Sequence, residues 1–306
     1  MRTGLIIPSL GASRLERCLE AVSRLEPAPE ACVLVLSGGA VVAESPPGLE
    51  IVRRRRRLGF AAAVNLGLGG SAGRCDAVAL LNDDAAPAPG WLGALVSELK
   101  ADPGLAAVQG TVTDALGTRV DGRGIGFDAW GLPIQVERGA DAAEDRGRAP
   151  RWAVSGTACL YRSQALAAAA LADGSVLDPR FDSYHEDLDL GLRLRRLGWR
   201  AGWIGGAPAA HLGSVTGTSF AWRHPWWVLA NRWRALAGNL SRGALLRAMP
   251  RLLRGELRAV RTLARRNPRT LPVAAAVGCA LPMLIAGSWR RDTPGARLTA
   301  LPGGAP

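Results

Sequence analysis

The 306-residue sequence predicts an α/β protein built on a doubly wound sheet and completed by a basic, helical C-terminal extension. Three observations lead there. Short apolar runs ending in polar or glycine residues alternate with stretches whose apolar positions recur at helical spacing, the order that winds helices onto a parallel sheet. The run from Ala77 to Leu81 is apolar throughout, so both of its faces must be covered. The net charge of +12 is also unevenly divided: residues 222–306 carry 15 Arg against 2 acids, Glu256 and Asp292, whereas residues 1–221 carry 23 Lys and Arg against 24 acids. A nearly neutral body of catalytic size, 1–221, is therefore expected to precede a cationic attachment segment, 222–306.

Taken in order, residues 4–10 form a first strand, and Leu15, Cys18, Leu19, Val22 and Leu25 keep helical spacing after it. That opening apolar stretch is too short for a signal peptide and lacks a small-residue cleavage site. Cys32 to Leu36 is a second strand, closed by Ser37-Gly38-Gly39, and Leu49 to Val52 a third, followed by five arginines. Ala61 to Gly69 suits a helix, Ala77 to Leu81 a strand and Trp91 to Lys100 a helix. Short strands are expected near 105–113 and 132–137, one strand from Trp152 to Arg162, and a helix from Gln164 to Leu171. Phe181 to Gly198 contains a helix opening near Glu186, with Leu190, Leu194 and Leu197 turned inward. Trp203-Ile204 is a last strand, with His211 in a polar loop beyond it.

A composition of 48% hydrophobic and 21% charged residues, with 38 Gly and 20 Pro, excludes a disordered or fibrous chain. The five cysteines are odd in number and form no CxxC pair, which suggests neither a disulfide framework nor a zinc site and points to the cytosol.

In doubly wound sheets ligands sit beyond the carboxyl ends of the strands, where Pro8-Ser9, Ser37-Gly38 and Asn82-Asp83-Asp84 gather. Carboxylates directly after a buried strand face solvent, cap a helix or hold a cation. Capping is poorly served here because Pro87 and Pro89 intervene before the next helix, so cation or nucleotide binding is favoured over an Asp-rich turn. His185-Glu186-Asp187-Leu188-Asp189 is the second cluster. Acids in a first helical turn are favoured by the helix dipole alone, so this plain reading stays open for it. His211 taken singly reads as structural; beside two acidic clusters it is a better candidate ligand than His224, which lies among tryptophans.

Ile7-Pro8-Ser9; Leu58-Gly59-Phe60-Ala61 with Asn65-Leu66-Gly67; Leu80-Leu81-Asn82-Asp83-Asp84 with Pro89-Gly90-Trp91-Leu92; Val154-Ser155-Gly156-Thr157; Tyr184 to Leu190 with Arg193 and Gly198-Trp199; and His211 with Ser214 follow one another over residues 4–240. In that order they resemble the inverting family 2 glycosyltransferases of the GT-A fold, especially a rhamnosyltransferase-like branch. The resemblance implies a Rossmann-like mixed sheet of GT-A type and a nucleotide-sugar donor. It implies Asp84 and His211 as ligands of a divalent ion, Mg2+ or Mn2+, with Asn82 and Asp83 near the donor's ribose or diphosphate. Asp187 resembles the general base, with Glu186 shaping the acceptor site, and Gly156 and Thr157 fall where the acceptor loop begins. Pro8, Ser9 and the segment from Gly59 to Asn65 correspond to walls of the nucleotide pocket. Ser37 stands where the family usually carries an Asp or Asn that contacts the base, and Arg57 where it commonly carries Asn. The arginine run is read as a solvated turn with one or two members near the site.

These residue types suit the chemistry. A divalent ion neutralises a departing nucleoside diphosphate, a carboxylate takes the proton of the attacking hydroxyl, and a single displacement inverts the anomeric carbon.

In the tail, Arg247, Arg251, Arg254, Arg258, Arg261 and Arg265 share one helical face, beside Leu246, Met249, Leu253, Leu257, Val260 and Ala264. Such a helix fits an anionic membrane surface, as do Trp222, Trp226, Trp227 and Trp233 among arginines. Pro250 is expected to break or kink it. Leu271 to Ser288 is uncharged, with shallow or re-entrant membrane association favoured over an ordinary buried helix and over spanning. The expected enzyme works at the cytoplasmic face of the plasma membrane on a cell-envelope glycan or polyprenyl-linked acceptor, with no nucleic acid as partner. The competing readings are a catalytically inactive scaffold of the same fold, a nucleotidyl-transferring relative, and a nucleic-acid binder acting through the basic tail.

Overall fold

A computed structural model describes residues 1–11, 14–40, 48–143, 147–212 and 223–301. The boundary expected between 221 and 222, and with it Ser214 and Trp222, lies outside the described residues.

The first strands, β1 (Thr3–Ser9), β2 (Ala31–Leu36), β3 (Leu49–Arg53) and β4 (Ala77–Leu81), are mutually parallel in the spatial order β4-β1-β2-β3. The sheet grows to eight strands beyond β4 through β12 (Ala158–Arg162), β6 (Leu105–Gln109), β13 (Arg200–Ile204) and β11 (Arg148–Arg151). It is mixed because β12 runs antiparallel to both β4 and β6, and β11 antiparallel to β13. Every residue of β4 is buried, as its uniformly apolar sequence requires. One face is covered by α1 (Arg14–Ser23) and α3 (Trp91–Ala101) through Leu15, Leu19, Trp91 and Leu95; the other by α2 (Phe60–Leu68), α4 (Ser163–Ala168) and α5 (Glu186–Arg196) through Val64, Leu166, Leu190 and Leu194.

A second, four-stranded sheet in the order β5-β14-β7-β8 stands at the carboxyl end of β4. It joins β5 (Ala85–Pro87), β14 (Ala209–His211), β7 (Val112–Thr113) and β8 (Val120–Gly122). Its register matters most for the site: antiparallel pairing sets His211 opposite Ala85, one residue beyond Asp84. A short hairpin of β9 (Ile125–Phe127) and β10 (Pro133–Gln135) completes the strands.

Three helices follow: α6 (Arg223–Asn239), α7 (Arg242–Arg266) and α8 (Thr270–Trp289). They share a core with the sheet-bearing part of the chain, in which Leu188 and Leu192 of α5 meet Leu229, Trp233 and Leu236 of α6, Leu245 and Leu252 of α7 and Val277 of α8. The helix α5 is thus sandwiched, with Leu190 and Leu194 against the sheet and Leu188 and Leu192 against the extension.

Three expectations need correction. The stretch from Trp152 to Arg162 is not one strand: β11 ends at Arg151 and β12 begins at Ala158, because Ser155-Gly156-Thr157 turn away to meet other groups. His211 closes a strand rather than lying in a loop. The helix α7 is not broken at Pro250, which sits at an exposed position where water can replace the hydrogen bond that proline removes. The face beside the arginines is also divided: Leu246, Leu253 and Leu257 are exposed, whereas Met249 and Val260 pack partly against the core. The helix α8 is long and apolar enough to cross a membrane and is largely uncovered, so it is not an ordinary buried helix.

Candidate active site

The site is assembled at the end of β4. Asp84 is buried, and its Oδ1 lies 3.2 Å from His211 Nε2 across the β5–β14 pairing. The other ring nitrogen, Nδ1, lies 2.9 Å from Asp121 Oδ2 on β8, and Arg138 pairs with the second oxygen of Asp121 at 2.9 Å. Burial works against a charged imidazole, but the hydrogen bonds its ring donates to Asp121 and Asp84 outweigh it and raise His211 to about 9. The pair of carboxylates therefore favours positive charge at this spot. Arg14 of α1 stands 3.7 Å from Asp84 and, with Arg17 and His211, lines a small pocket beside it. Ser9, at the end of β1, donates to Asp83 Oδ2 at 2.6 Å; burial pushes the Asp83 carboxyl up, against the lowering effect of that bond.

Asp187 lies at the start of α5. Gly156 N–H donates to its Oδ2 at 3.1 Å and Leu188 N–H to its Oδ1 at 2.7 Å. The same turn holds the first acidic cluster, since Asn82 N–H donates to the Thr157 carbonyl at 2.8 Å. Burial raises the Asp187 carboxyl above its ordinary value despite these backbone donors, and burial with the Asp187 charge raises Glu186 further. Among the described residues Glu186 Oε2 meets no hydrogen-bond partner. His185 is kept neutral, lowered to about 3 by burial and by the Arg232 charge, so it is not the titrating member of the cluster. A Cβ at Gly156 would lie 3.0 Å from the Phe60 ring and 4.0 Å from Asp187 Cβ, which explains a glycine at this close approach.

Toward the expected nucleotide pocket, Pro8 lies in β1 opposite Val35, and Ser37 Oγ accepts from Leu58 N–H at 3.1 Å, tying the end of β2 to the segment before α2. Gly59 is required by close packing, because a Cβ there would stand 1.8 Å from Asp182 Oδ1. Arg57 pairs with that carboxylate at 3.2 Å and lies over the Trp227 ring, whereas Arg53 to Arg56 are exposed. Asn65 spends its amide elsewhere: Nδ2 donates to the Leu177 carbonyl at 2.6 Å and Oδ1 accepts from Val176 and Leu177 N–H. Its side chain thereby anchors the 176–177 segment beside the expected pocket wall.

The sequence reading missed Asp121 and Arg14, since nothing local marks an aspartate in a Gly- and Asp-rich stretch or an arginine at a helix start. Only the β7–β8 pairing reveals Asp121. Among the described residues no three His, Cys, Asp or Glu side chains form a ready metal cage. Asp84 and His211 nevertheless suit one cation between them: adjacent ligands about 2.1 Å from an ion stand about 3 Å apart, close to the separation found here. Asp121 on the far nitrogen is the outer carboxylate that commonly orients a ligating histidine.

Residues 5–168 match the model of glycosyl transferase family 2. Glu186, Asp187 and His211 lie beyond the matched stretch. No curated protein matches the chain by sequence. Among solved structures, the fold is similar to a mannosyltransferase, PcManGT from Pyrobaculum calidifontis, in complex with GDP-Man and Mn2+, at a TM-score of 0.54 and 18% identity, covering 94% of this chain and 79% of that one. It is also similar to GalNAc-T7 with UDP, GalNAc and Mn2+, at a TM-score of 0.53 and 13% identity, covering 69% of this chain. The chain spans 43% of the GalNAc-T7 chain. The fold is thus the expected GT-A type mixed sheet with a helical C-terminal extension.

Proposed function

Because the chain belongs to glycosyl transferase family 2, we propose that it transfers a sugar from a nucleotide-diphosphate donor to an acceptor hydroxyl, with a divalent cation and with inversion. The observation that carries this reading is the meeting of Asp84 and His211, 127 positions apart in sequence, at 3.2 Å. Mn2+ accompanies the nucleotide or nucleotide sugar in both similar structures, and Mg2+ has the same hard-oxygen preference. A cation held by Asp84 and His211 would neutralise the diphosphate as it leaves. Asp83, fixed by Ser9, faces the donor side, with Asn82, Ser37, Pro8 and Gly59 forming the surrounding wall. Asp187 accepts the acceptor's proton; its two backbone donors orient the carboxylate while burial raises its basicity. Glu186 and the Gly156-Thr157 turn bound the acceptor side.

Residues 1–221 serve as the catalytic body and 222–306 as the attachment segment. The exposed Leu246, Leu253 and Leu257 beside exposed arginines on α7, and the uncovered apolar α8, suit the headgroup region of an anionic bilayer at its cytoplasmic face. A polyprenyl-linked acceptor, or another cell-envelope glycan, would be met there. Rhamnose from a dTDP donor is the preferred sugar, on the branch resembled.

The test is nucleoside diphosphate release from dTDP-rhamnose, GDP-mannose and UDP-GalNAc with Mn2+ or Mg2+, using polyprenyl-diphosphate-linked sugars and alkyl glycosides as acceptors. A glycoside product of inverted configuration is expected. Release of a sugar 1-phosphate instead would indicate nucleotidyl transfer, and no turnover with any donor would favour the inactive scaffold.

A further inference from the structure

The loop that delivers the acid pair to its place is contorted. Asp182, Tyr184 and His185 have φ values of 60, 71 and 67, a left-handed region that side-chain-bearing residues rarely enter unless their surroundings hold them there. His185 is the residue on which α5 begins, so the path of this loop fixes where Glu186 and Asp187 stand. Something outside the loop must hold it there, and two elements do. From the donor side, Arg57 pairs with Asp182 at 3.2 Å and Ala61 N–H donates to the Asp182 carbonyl at 3.3 Å.

From the C-terminal extension comes Asn231 of α6, fully buried. Its Nδ2 lies 2.6, 2.9 and 3.1 Å from the carbonyls of Phe181, Ser183 and Tyr184. Left-handed residues turn these carbonyls, which a strand would point to alternate sides, toward one point, and a single amide group meets all three. Arg234 Nη1 in turn donates to Asn231 Oδ1 at 2.5 Å, which fixes the amide with its NH2 toward the loop. Leucine or alanine would leave the three carbonyls without this donor, and burial makes such a loss costly.

We propose that Asn231 is a positioning residue for Asp187, and hence that the helical extension completes the active site rather than only anchoring it. This rests on the assignment of Asp187 as base. The family match ends at residue 168 and includes neither partner.

The test compares Asn231→Asp, which keeps the shape and removes the donors, and Asn231→Ser, which retains one shorter donor. Each is measured with the donor that the wild type turns over, alongside calorimetric binding of the corresponding nucleoside diphosphate with Mn2+ and a thermal melt. Expected is a fall in kcat of about 100-fold in Asn231→Asp with a smaller fall in Asn231→Ser, while donor KM and nucleotide affinity stay within about threefold. A wild-type kcat in a folded Asn231→Asp, or a parallel loss of nucleotide binding, would overturn the proposal. So would failure of both variants to fold, which would make the side chain a general core element. Asp187→Asn is run in parallel: if it transfers sugar normally the base assignment fails, whereas a dead Asp187→Asn beside an active Asn231→Asp defeats the positioning role alone.

Discussion

Gly156 donates its backbone N–H to Asp187 Oδ2 at 3.1 Å, and the next carbonyl, that of Thr157, accepts from Asn82 at 2.8 Å. A three-residue turn thereby ties together two acidic clusters that lie about a hundred positions apart in sequence. The segment Asn82-Asp83-Asp84, proposed for the donor side, hangs on one end of the turn and the proposed base on the other, so the two proposed halves of the site share one reference.

The cation site makes a first expectation. Asp84→Asn and His211→Ala should each weaken Mn2+-dependent UDP or GDP binding at least tenfold, and EDTA should abolish turnover. Asp121→Asn should cost about 10–100-fold in Mn2+ affinity while leaving the fold intact, because it frees the imidazole that the carboxylate orients. Calorimetric titration with Mn2+ checks all three. Unchanged affinity in Asp121→Asn would remove that residue from the site.

The acid pair makes a second. Burial raises Asp187 above the ordinary value of 3.8, and a base must be ionised to act. The kcat/KM profile should therefore rise with pH through a midpoint above the normal aspartate range, and the limb should vanish in Asp187→Asn. A profile flat down to pH 4 would contradict it.

Stability offers a third expectation through Asp189, buried between Arg193 Nε at 3.0 Å and Arg291 Nη2 at 2.8 Å. Burial alone would raise its pKa, but the two guanidinium charges and their hydrogen bonds lower it from 3.8 to about 2. A lowered carboxylate stabilises the fold above its unfolded value and loses that contribution as pH falls through the folded one. Asp189→Asn, which leaves two buried cations short of a partner, should cost about 3–5 kcal/mol at pH 7. The gap between wild type and variant in thermal or urea unfolding should narrow between about pH 4 and pH 2. A constant gap would show that charge is not the source.

Membrane attachment supplies a fourth. Full-length protein should co-sediment with vesicles containing anionic phosphatidylglycerol, more weakly at high salt, and poorly with neutral phosphatidylcholine vesicles. Replacing the exposed Leu246, Leu253 and Leu257 with Ser should reduce binding several-fold without altering the melt. Equal binding by this variant would place the contact elsewhere.

Much of this was legible in the sequence because it rests on local pattern. The apolar runs announced β1, β2 and β4, and the acids after β4 marked the candidate site. What was not legible depends on pairing between distant segments. Asp121 is brought to His211 only through β7 and β8, and Gly156 to Asp187 only through its contact with α5. The helix α5 looked one-sided because Leu190 and Leu194 fit a single inward face, yet Leu188 and Leu192 are buried just as deeply against the extension. Asn65 sits in the expected segment, but its amide is committed to the 176–177 backbone, a partner no motif indicates.

The most direct measurement is sugar transfer by Asp187→Asn, made together with calorimetric binding of UDP or GDP in the presence of Mn2+. Loss of transfer by about a thousandfold or more, with nucleotide affinity within threefold of wild type, is expected of a base that leaves the donor site untouched. Transfer at the wild-type rate would contradict the assignment and leave the buried carboxylate as a structural group.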